Sequence, residues 1–452
     1  MENAGQSFTA SRRILLVNPP SPAGLTANRE GAGGLGAWSP GYAGFIYPPQ
    51  TLATTAAVLR LAGWHVRLVD AAGERINTEA ALQRVKAQPE TLIAILIAQL
   101  SLENDLAFVN SLRVAVPQAR LIAIGTSMPF IEAQILERTD VDHVAIGEPE
   151  GILLPLCQVL IGESFVRRVR RSVTAADVNA SNLDQFGRLK DLNALPFPAW
   201  DLVPWQQYGF LTISTSRGCD DTCTFCPYVV GQGRKLRSRH PQQVADEMAW
   251  LATTFHPARV IIRDPVFACD RQRVEAICRE LITHRVNLAW ECESRPEHFS
   301  EPLLRLMQQA GCTTIKIGLE TTSERVLRTL WRIPPHGSAH AYMERTASIV
   351  ATCHDLGMAC RVFVMTGLPG QTDEDVNRTI AFLHKIKPTV VHVKPFHRYP
   401  GLAIPLADAV EERRRGEQQA HMIREAFPRQ APPASSNPLR RARRWLARRI
   451  LQ

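Results

Sequence analysis

The chain runs to 452 residues, enough for two or three domains at roughly 100 to 200 residues each. With 45% hydrophobic and 21% charged residues it falls outside the disordered, collagenous and membrane-spanning classes. Its formal charge of +9 would suit a nucleic-acid partner, but six arginines and no acid sit in the last 16 residues, and without them only +3 remains. No nucleic-acid partner is expected. The opening residues lack an apolar secretory segment, and no apolar run reaches about 18 residues. Seven of the ten cysteines (Cys157, Cys269, Cys278, Cys292, Cys312, Cys353, Cys360) stand singly among apolar neighbours, as reduced, buried thiols do. The expected location is cytoplasmic.

Residues 1–162 alternate short aliphatic runs ("ILLVN", "HVRLVDA", "LIAILIA", "RLIAIG", "HVAIGE") with helical stretches such as "TLATTAAVLRLAG". That alternation predicts an α/β, Rossmann-like open parallel sheet covered on both faces. Such sheets bind ligands at the carboxyl ends of their strands. The candidate binding loops therefore contain Asn18 and Pro19, Ser101, Gly125 and Thr126, and Gly147 and Glu148. "GAGGLG" (31–36) matches a dinucleotide fingerprint in letters only. It starts more than ten residues after its strand and runs into Pro40 and Gly41, so a nicotinamide site is not expected.

Residues 163–206 lose the periodicity and read as an extended linker ending in "LPFPAWDLVPW". Residues 207–400 bring a second series of six strand candidates: "LTISTS", "ARVIIRD", "NLAWECES", "TTIKIGLE", "ACRVFVMTG" and "TVVHVKPF". Right-handed crossovers would close these into a partial (β/α)6 barrel with its chemistry at the strand carboxyl ends. Residues 401–452 offer one charged helix, a Pro/Ser stretch and an arginine-rich tail. In that tail Leu439, Ala442, Leu446 and Ile450 fall at helical spacing, the pattern of a basic helix able to lie on an anionic membrane.

After the first barrel strand comes "CDDTCTFC", with Cys219, Cys223 and Cys226 spaced CxxxCxxC. A structural zinc or a ferredoxin-type cluster usually takes four ligands. Three thiolates suit a 4Fe-4S cluster with one iron open to an outside molecule. With Phe225 before the last cysteine, the motif resembles the signature of the radical S-adenosylmethionine (SAM) superfamily. "LPFPAWDLVPW", "RSRHPQQVADEM", "WECESRPE", "AGCTTIKIGLETTSERVL" and "GLPGQTDED" resemble, in order, the subgroup with an N-terminal cobalamin-binding domain, as do "VNPP", "YPPQTLATTAAVLRLAGWHVRLVDA" and "VDHVAIGEPEG".

The resemblance implies an N-terminal Rossmann-like cobalamin-binding domain, a partial (β/α)6 radical SAM barrel, and three cofactors: a 4Fe-4S cluster on the three cysteines, SAM and cobalamin. In that family the open iron chelates SAM, and one electron from the cluster yields a 5′-deoxyadenosyl radical. Phe225, Arg295, Glu320, Arg361, Gly367 and Pro369 are the implied SAM-side contacts. The chain departs from the family at several points. "DVDHVAIG" lacks the DxHxxG cobalt-ligand spacing, leaving His143 a strand residue and cobalt without a motif histidine. "RDP" (263–265) stands for a double Asp, "GTSM" for GGxH, and Asp220 and Asp221 for "PY".

Strand alternation puts Thr314, Lys316, Gly318 and Glu320 on one polar face. Glu291 and Glu293 share another, and Lys394, His397 and Tyr399 fall near the barrel mouth. The expected activity is methyl transfer to an unactivated carbon of a small-molecule, lipid or tetrapyrrole substrate, with an external reductant of flavodoxin or ferredoxin type. Radical cyclisation or rearrangement is the alternative reading, and a non-catalytic sensor a remoter one. A methylthiotransferase is not expected, because no cysteine precedes Cys157.

Overall fold

A computed structural model describes residues 12–40, 45–88, 90–163, 171–334, 336–402, 404 and 409–428. The arginine-rich tail, with Leu439, Ala442, Leu446 and Ile450, lies outside them. Among the described residues no helix is long and apolar enough to cross a membrane. The chain gathers into two compact units: Met1–Ser294 with Pro302–Thr313 and Arg398–Ile404, and Arg295–Glu301 with Thr314–His397 and Pro405–Gln452. This division does not follow the boundaries expected from sequence: the linker and the first three strands of the second series fall in the same unit as the first sheet.

In the first unit, strands β1 (Arg13–Asn18), β2 (His65–Asp70), β3 (Leu92–Leu96), β4 (Arg120–Ile124), β5 (His143–Ala145) and β6 (Ser172–Val173) form one sheet, ordered β2-β1-β3-β4-β5-β6. Every pairing is parallel. Alternate β1 side chains feed opposite cores. Ile14 and Leu16 pack with helices α1 (Gln50–Leu61) and α5 (Pro149–Leu160). Leu15 and Val17 pack with α2 (Thr78–Lys86), α3 (Leu102–Ala115) and α4 (Met128–Arg138). That two-sided burial is why the strands are aliphatic throughout.

β6 and its surroundings differ from the sequence reading. The segment expected to be an extended linker adds this sixth strand and sends Leu183, Leu189 and Leu192 into the core beside α1 and α5. A two-residue strand followed by turns carries no period to detect. Two short antiparallel strands, Leu25–Asn28 and Ala37–Pro40, enclose the glycine-rich stretch, which forms a turn at Ala32–Gly34 rather than opening a helix.

The second series begins in the same unit with β7 (Leu211–Ile213), α6 (Pro241–Thr254), β8 (Val260–Ile262), α7 (Arg271–Thr283) and β9 (Trp290–Ser294), the strands pairing in parallel. Helix α8 spans Glu301–Gln309. The second unit contains β10 (Cys312–Glu320), α9 (Ala339–Asp355), β11 (Ala359–Thr366), α10 (Asp373–Ile386), β12 (Val390–Pro395) and α11 (Ala409–Ala426). Its strands again pair in parallel. All six strand candidates of the second series are strands.

On β10, Ile315, Ile317 and Leu319 are fully buried on one face, opposite the Thr314, Lys316 and Gly318 face. Glu320 ends the strand at φ +63°, where the β10–β11 register shifts. Helix α11 closes over the carboxyl end of β11. The Thr366 hydroxyl donates to the Gly416 carbonyl (2.8 Å), and the Gly367 N–H donates to Gln419 (2.9 Å). A Cβ on Gly367 would lie 2.7 Å from the Gly416 Cα, so the two glycines permit one backbone to rest on the other.

Candidate active site

β7 delivers the chain into Ser214–Arg217, and buried polar groups fix that turn. Asp264, just beyond β8, accepts from the Thr215 N–H (2.6 Å), the Thr215 hydroxyl (2.5 Å) and the Ser216 hydroxyl (2.7 Å). Arg273 donates to the Thr215 carbonyl and hydroxyl, both at 2.7 Å. The chain has a single acid here, in "RDP" (263–265), and that acid is the one that braces the turn.

Gly218 follows at φ +85°, and a Cβ there would strike the Lys235 carbonyl. Its N–H donates to Gln232, and the Cys219 N–H to the Gly233 carbonyl (3.1 Å). The cysteine loop is thereby tied to the residues that follow the short helix Pro227–Gln232. Gly218→Ala is expected to lower stability by about 1–3 kcal/mol through backbone strain, and to reduce bound iron per chain. Chemical unfolding and iron analysis read these two effects, and wild-type iron loading would refute the second.

Cys219 and Cys223 are buried and Cys226 is partly exposed. Burial, then the neighbouring Asp221 carboxylate, push the Cys219 thiol well above its usual value. Among the described residues no group of His, Cys, Asp and Glu converges as ligands of a single ion would. A cubane cluster bonds each thiolate to a different iron and does not require such convergence, so three thiols on one loop fit it. Of the acids that set this loop apart, Asp220 is exposed, while the Asp221 carbonyl is held by Arg234 (2.8 Å) and its carboxylate lies 3.6 Å from the Cys219 sulfur.

The helix after Cys226 abuts the carboxyl end of the first sheet. A Cβ on Gly33 would lie 3.1 Å from the Tyr228 Cα, and one on Gly231 would lie 2.6 Å from the Gly33 carbonyl oxygen and 3.0 Å from Thr126. Tyr399 donates to the Gly36 carbonyl (3.1 Å), so its place is at the glycine-rich turn. Arg263 stacks its guanidinium 3.3 Å over the Tyr47 ring and donates to the Glu30 carbonyl (2.6 Å). The glycine-rich stretch, uninformative as a nucleotide motif, is thus the piece of the first domain nearest the cysteine helix.

The loops expected to bind a cofactor differ in what they leave available. Gly125, Thr126 and Gly147 stand at strand carboxyl ends, with φ +143° at Gly125 and +154° at Gly147. Asn18 and Ser101 turn inward. The Asn18 amide donates to Asp70 (2.7 Å) and its oxygen accepts from Arg29 (3.1 Å); the Ser101 hydroxyl donates to Asp105 (2.7 Å). The Pro19 carbonyl accepts from Arg29 at 2.7 Å. These groups hold the loops in place, and their polar atoms are engaged within the protein.

Glu148 is likewise committed. Arg237 grips both its oxygens (2.9 and 3.0 Å), Arg217 lies at 3.3 Å and the Leu189 N–H donates to it. Burial alone would raise its carboxyl, but Arg217 and Arg237 hold it below the usual range. Arg217 also pairs with Glu150 (2.7 Å), so a residue two before the first cysteine is clamped to the first turn of α5. Spacing gives no sign of this clamp.

Glu30 accepts from the Thr51 N–H (3.0 Å) and hydroxyl (3.1 Å). Burial pushes its carboxyl up to about 7, against the opposing pull of Thr51 and Arg263. The folded state then binds the extra proton between the ordinary carboxylate range and about pH 7, so stability falls as pH rises through that window. Glu30→Gln is expected to add about 2 kcal/mol at pH 8 and little at pH 5. Urea unfolding at the two pH values checks this; equal gains at both would refute it.

In the second unit Arg295 is nearly buried, donating to Glu297 (2.7 Å) and to the Arg332 carbonyl (2.6 Å). Arg332 and Tyr342 both donate to the Gly318 carbonyl at 2.5 Å. Arg361 and Pro369 are partly exposed. Gly367, implied as a SAM-side contact, is buried and is closely approached by Gly416 of α11. Burial and the Arg413 guanidinium lower the His397 imidazole, and Lys394 lies over the Phe363 ring.

Residues 213–383 match the family model described as the radical SAM superfamily. The chain is 23% identical over 399 residues to an uncharacterized methyltransferase of Pyrococcus horikoshii, covering 86% of this chain and 81% of that one. It is 26% identical to the tryptophan 2-C-methyltransferase of Streptomyces laurentii over 47% of this chain and 37% of that one. Among solved structures it resembles the radical SAM methyltransferase TsrM from Kitasatospora setae, determined with cobalamin and a [4Fe-4S] cluster bound. The TM-score is 0.64 at 18% identity, over 85% of this chain and 75% of that one, a likeness of fold.

Proposed function

Starting from a chain that carries a radical SAM domain, we propose a cobalamin-dependent radical SAM methyltransferase that alkylates an unactivated carbon of a small organic substrate. The observation that carries the reading is the placement of the cysteine loop. Its trailing helix lies against Gly33 and Thr126, at the carboxyl end of a six-stranded sheet of the kind that binds large planar cofactors there.

When bound, the cluster supplies one electron to SAM to generate a carbon radical, and cobalamin supplies the methyl group. The chain's own residues position these groups. Cys219, Cys223 and Cys226 offer three thiolates and leave one iron for SAM. Asp264, Arg273 and Gly218 hold the turn from which that loop departs. The Arg217–Glu148–Arg237 clamp ties the turn to the sheet, limiting drift between the two reacting groups, where small misplacements are costly. Thr126, Gly125 and Gly147 remain the candidate corrin-facing positions of the first domain. Arg295, Glu320 and Arg361 remain candidate SAM-side groups of the second unit.

The test is anaerobic reconstitution with iron, sulfide, SAM and cobalamin. Cobalamin uptake, with a product heavier by one methyl group, is the expected result. Formation of 5′-deoxyadenosine with a product that gains no methyl group would replace methyl transfer by cyclisation or rearrangement. Failure to take up cobalamin would sink the reading of the first domain.

A further inference from the structure

A cavity opens at the carboxyl ends of β4 and β5, against the turn that follows β7. Its walls include Gln50, Thr126, Glu150, Arg217 and Arg263. The cations in this wall are already engaged: Arg217 by Glu148 and Glu150, Arg263 by the Glu30 carbonyl and the Tyr47 ring. Two acceptors are not. The Gln50 Oε1 and the Glu150 Oε2 are buried without a hydrogen-bond partner. Both side chains are more than nine-tenths buried. A buried acceptor left unmatched is costly, so the cavity is built for something that brings N–H or O–H groups.

Resting on the cobalamin reading above, we propose that this cavity is a carboxamide pocket, receiving one primary carboxamide from the corrin rim and rejecting the corresponding carboxylate. The amide nitrogen carries two N–H donors for two waiting acceptors, and the Thr126 hydroxyl in the same wall can rotate to donate to the amide oxygen. A carboxylate in the same place would set oxygen against the Glu150 and Gln50 oxygens, beside an Arg217 whose charge Glu148 and Glu150 already balance. A site that hydrogen-bonds an N–H group rejects the analogue lacking it far more strongly than an apolar pocket rejects a missing methylene. The pocket would therefore select the fully amidated corrinoid over its partly hydrolysed relatives.

The experiment measures binding of cobalamin and of its separate monocarboxylic acids, each with one carboxamide hydrolysed, to the full chain by equilibrium dialysis. Wild type is expected to bind at least one monocarboxylate about tenfold more weakly than cobalamin. Glu150→Gln, whose own amide can donate to a carboxylate, is expected to close most of that gap. Gln50→Leu removes one acceptor without touching an ion pair, and is expected to weaken cobalamin itself by about fivefold or more. Equal binding of cobalamin and every monocarboxylate to wild type, the result if the cavity holds water only, would overturn the pocket and leave the cobalamin reading standing. A gap unchanged in Glu150→Gln, with cobalamin affinity unchanged in Gln50→Leu, would overturn it too. No binding of any corrinoid would remove both readings together.

Discussion

Replacing Cys223 with Ala is expected to bring SAM cleavage down to the level of a protein-free control. Three thiolates are the minimum that can hold a four-iron cluster with one iron open, and with two left the cluster loses a corner ligand. Cys223 is buried on the loop that follows the turn braced by Asp264 and Arg273. Iron content and the visible absorbance of the reconstituted protein should fall with 5′-deoxyadenosine formation. Cys269 is the control. It feels Asp264 and Asp220 electrostatically but lies outside the triad, and Cys269→Ala should keep its cluster. If Cys223→Ala still formed 5′-deoxyadenosine under reductant, the assignment of the loop would be wrong.

The second large effect belongs to Asp105, far from the cysteines in sequence. Its carboxylate receives Arg29 through two nitrogens (2.5 and 3.1 Å), together with the Ser101 hydroxyl and the Ala98 N–H. The side chains of the pair are 1% and 0% exposed. Arg29 continues the network to Asn18, which passes it to Asp70, and Asp70 accepts from the Tyr208 hydroxyl at 2.5 Å. This chain of buried bonds crosses the carboxyl ends of β1, β2 and β3 and fixes the loops there.

Asp105→Ala strands a guanidinium out of water and is expected to cost about 3–5 kcal/mol of stability in urea unfolding. The exposed pair Arg138–Glu103 sets the scale: Arg138→Ala should cost only a small fraction of that. The double variant Arg29→Met, Asp105→Leu removes both charges and should recover much of the loss. A single Asp105→Ala variant as stable as Arg138→Ala would show that the network carries no such load.

Much of this protein was legible before any coordinates. The five aliphatic runs of the first domain are strands, the six of the second series are strands, and the cysteines follow the strand that was expected to precede them. These features are local, written in the period of a strand or in the spacing of ligands along one loop, so a single pass along the chain detects them. The linker was misread because its strand is two residues long and its apolar residues carry no period. Asn18 and Ser101 were expected to face a cofactor because they end strands. Which way such a side chain turns depends on Arg29 and Asp105, 11 and 4 residues away.

Sequence by itself determined the chemistry available here: three thiols on one loop, a doubly covered parallel sheet ahead of them, and alternating strands and helices behind. Only tertiary structure decided which polar groups are spent holding the protein together and which are left for a ligand. Glu148 and Glu150 are two residues apart, the N-cap and the first turn of α5. Arg237 and Arg217 saturate the first, while the second keeps one buried oxygen unmatched. Letters alone cannot separate them, because a hydrogen bond is made by whichever partner the fold brings within about 3 Å, and those partners come from 67 and 89 residues along the chain.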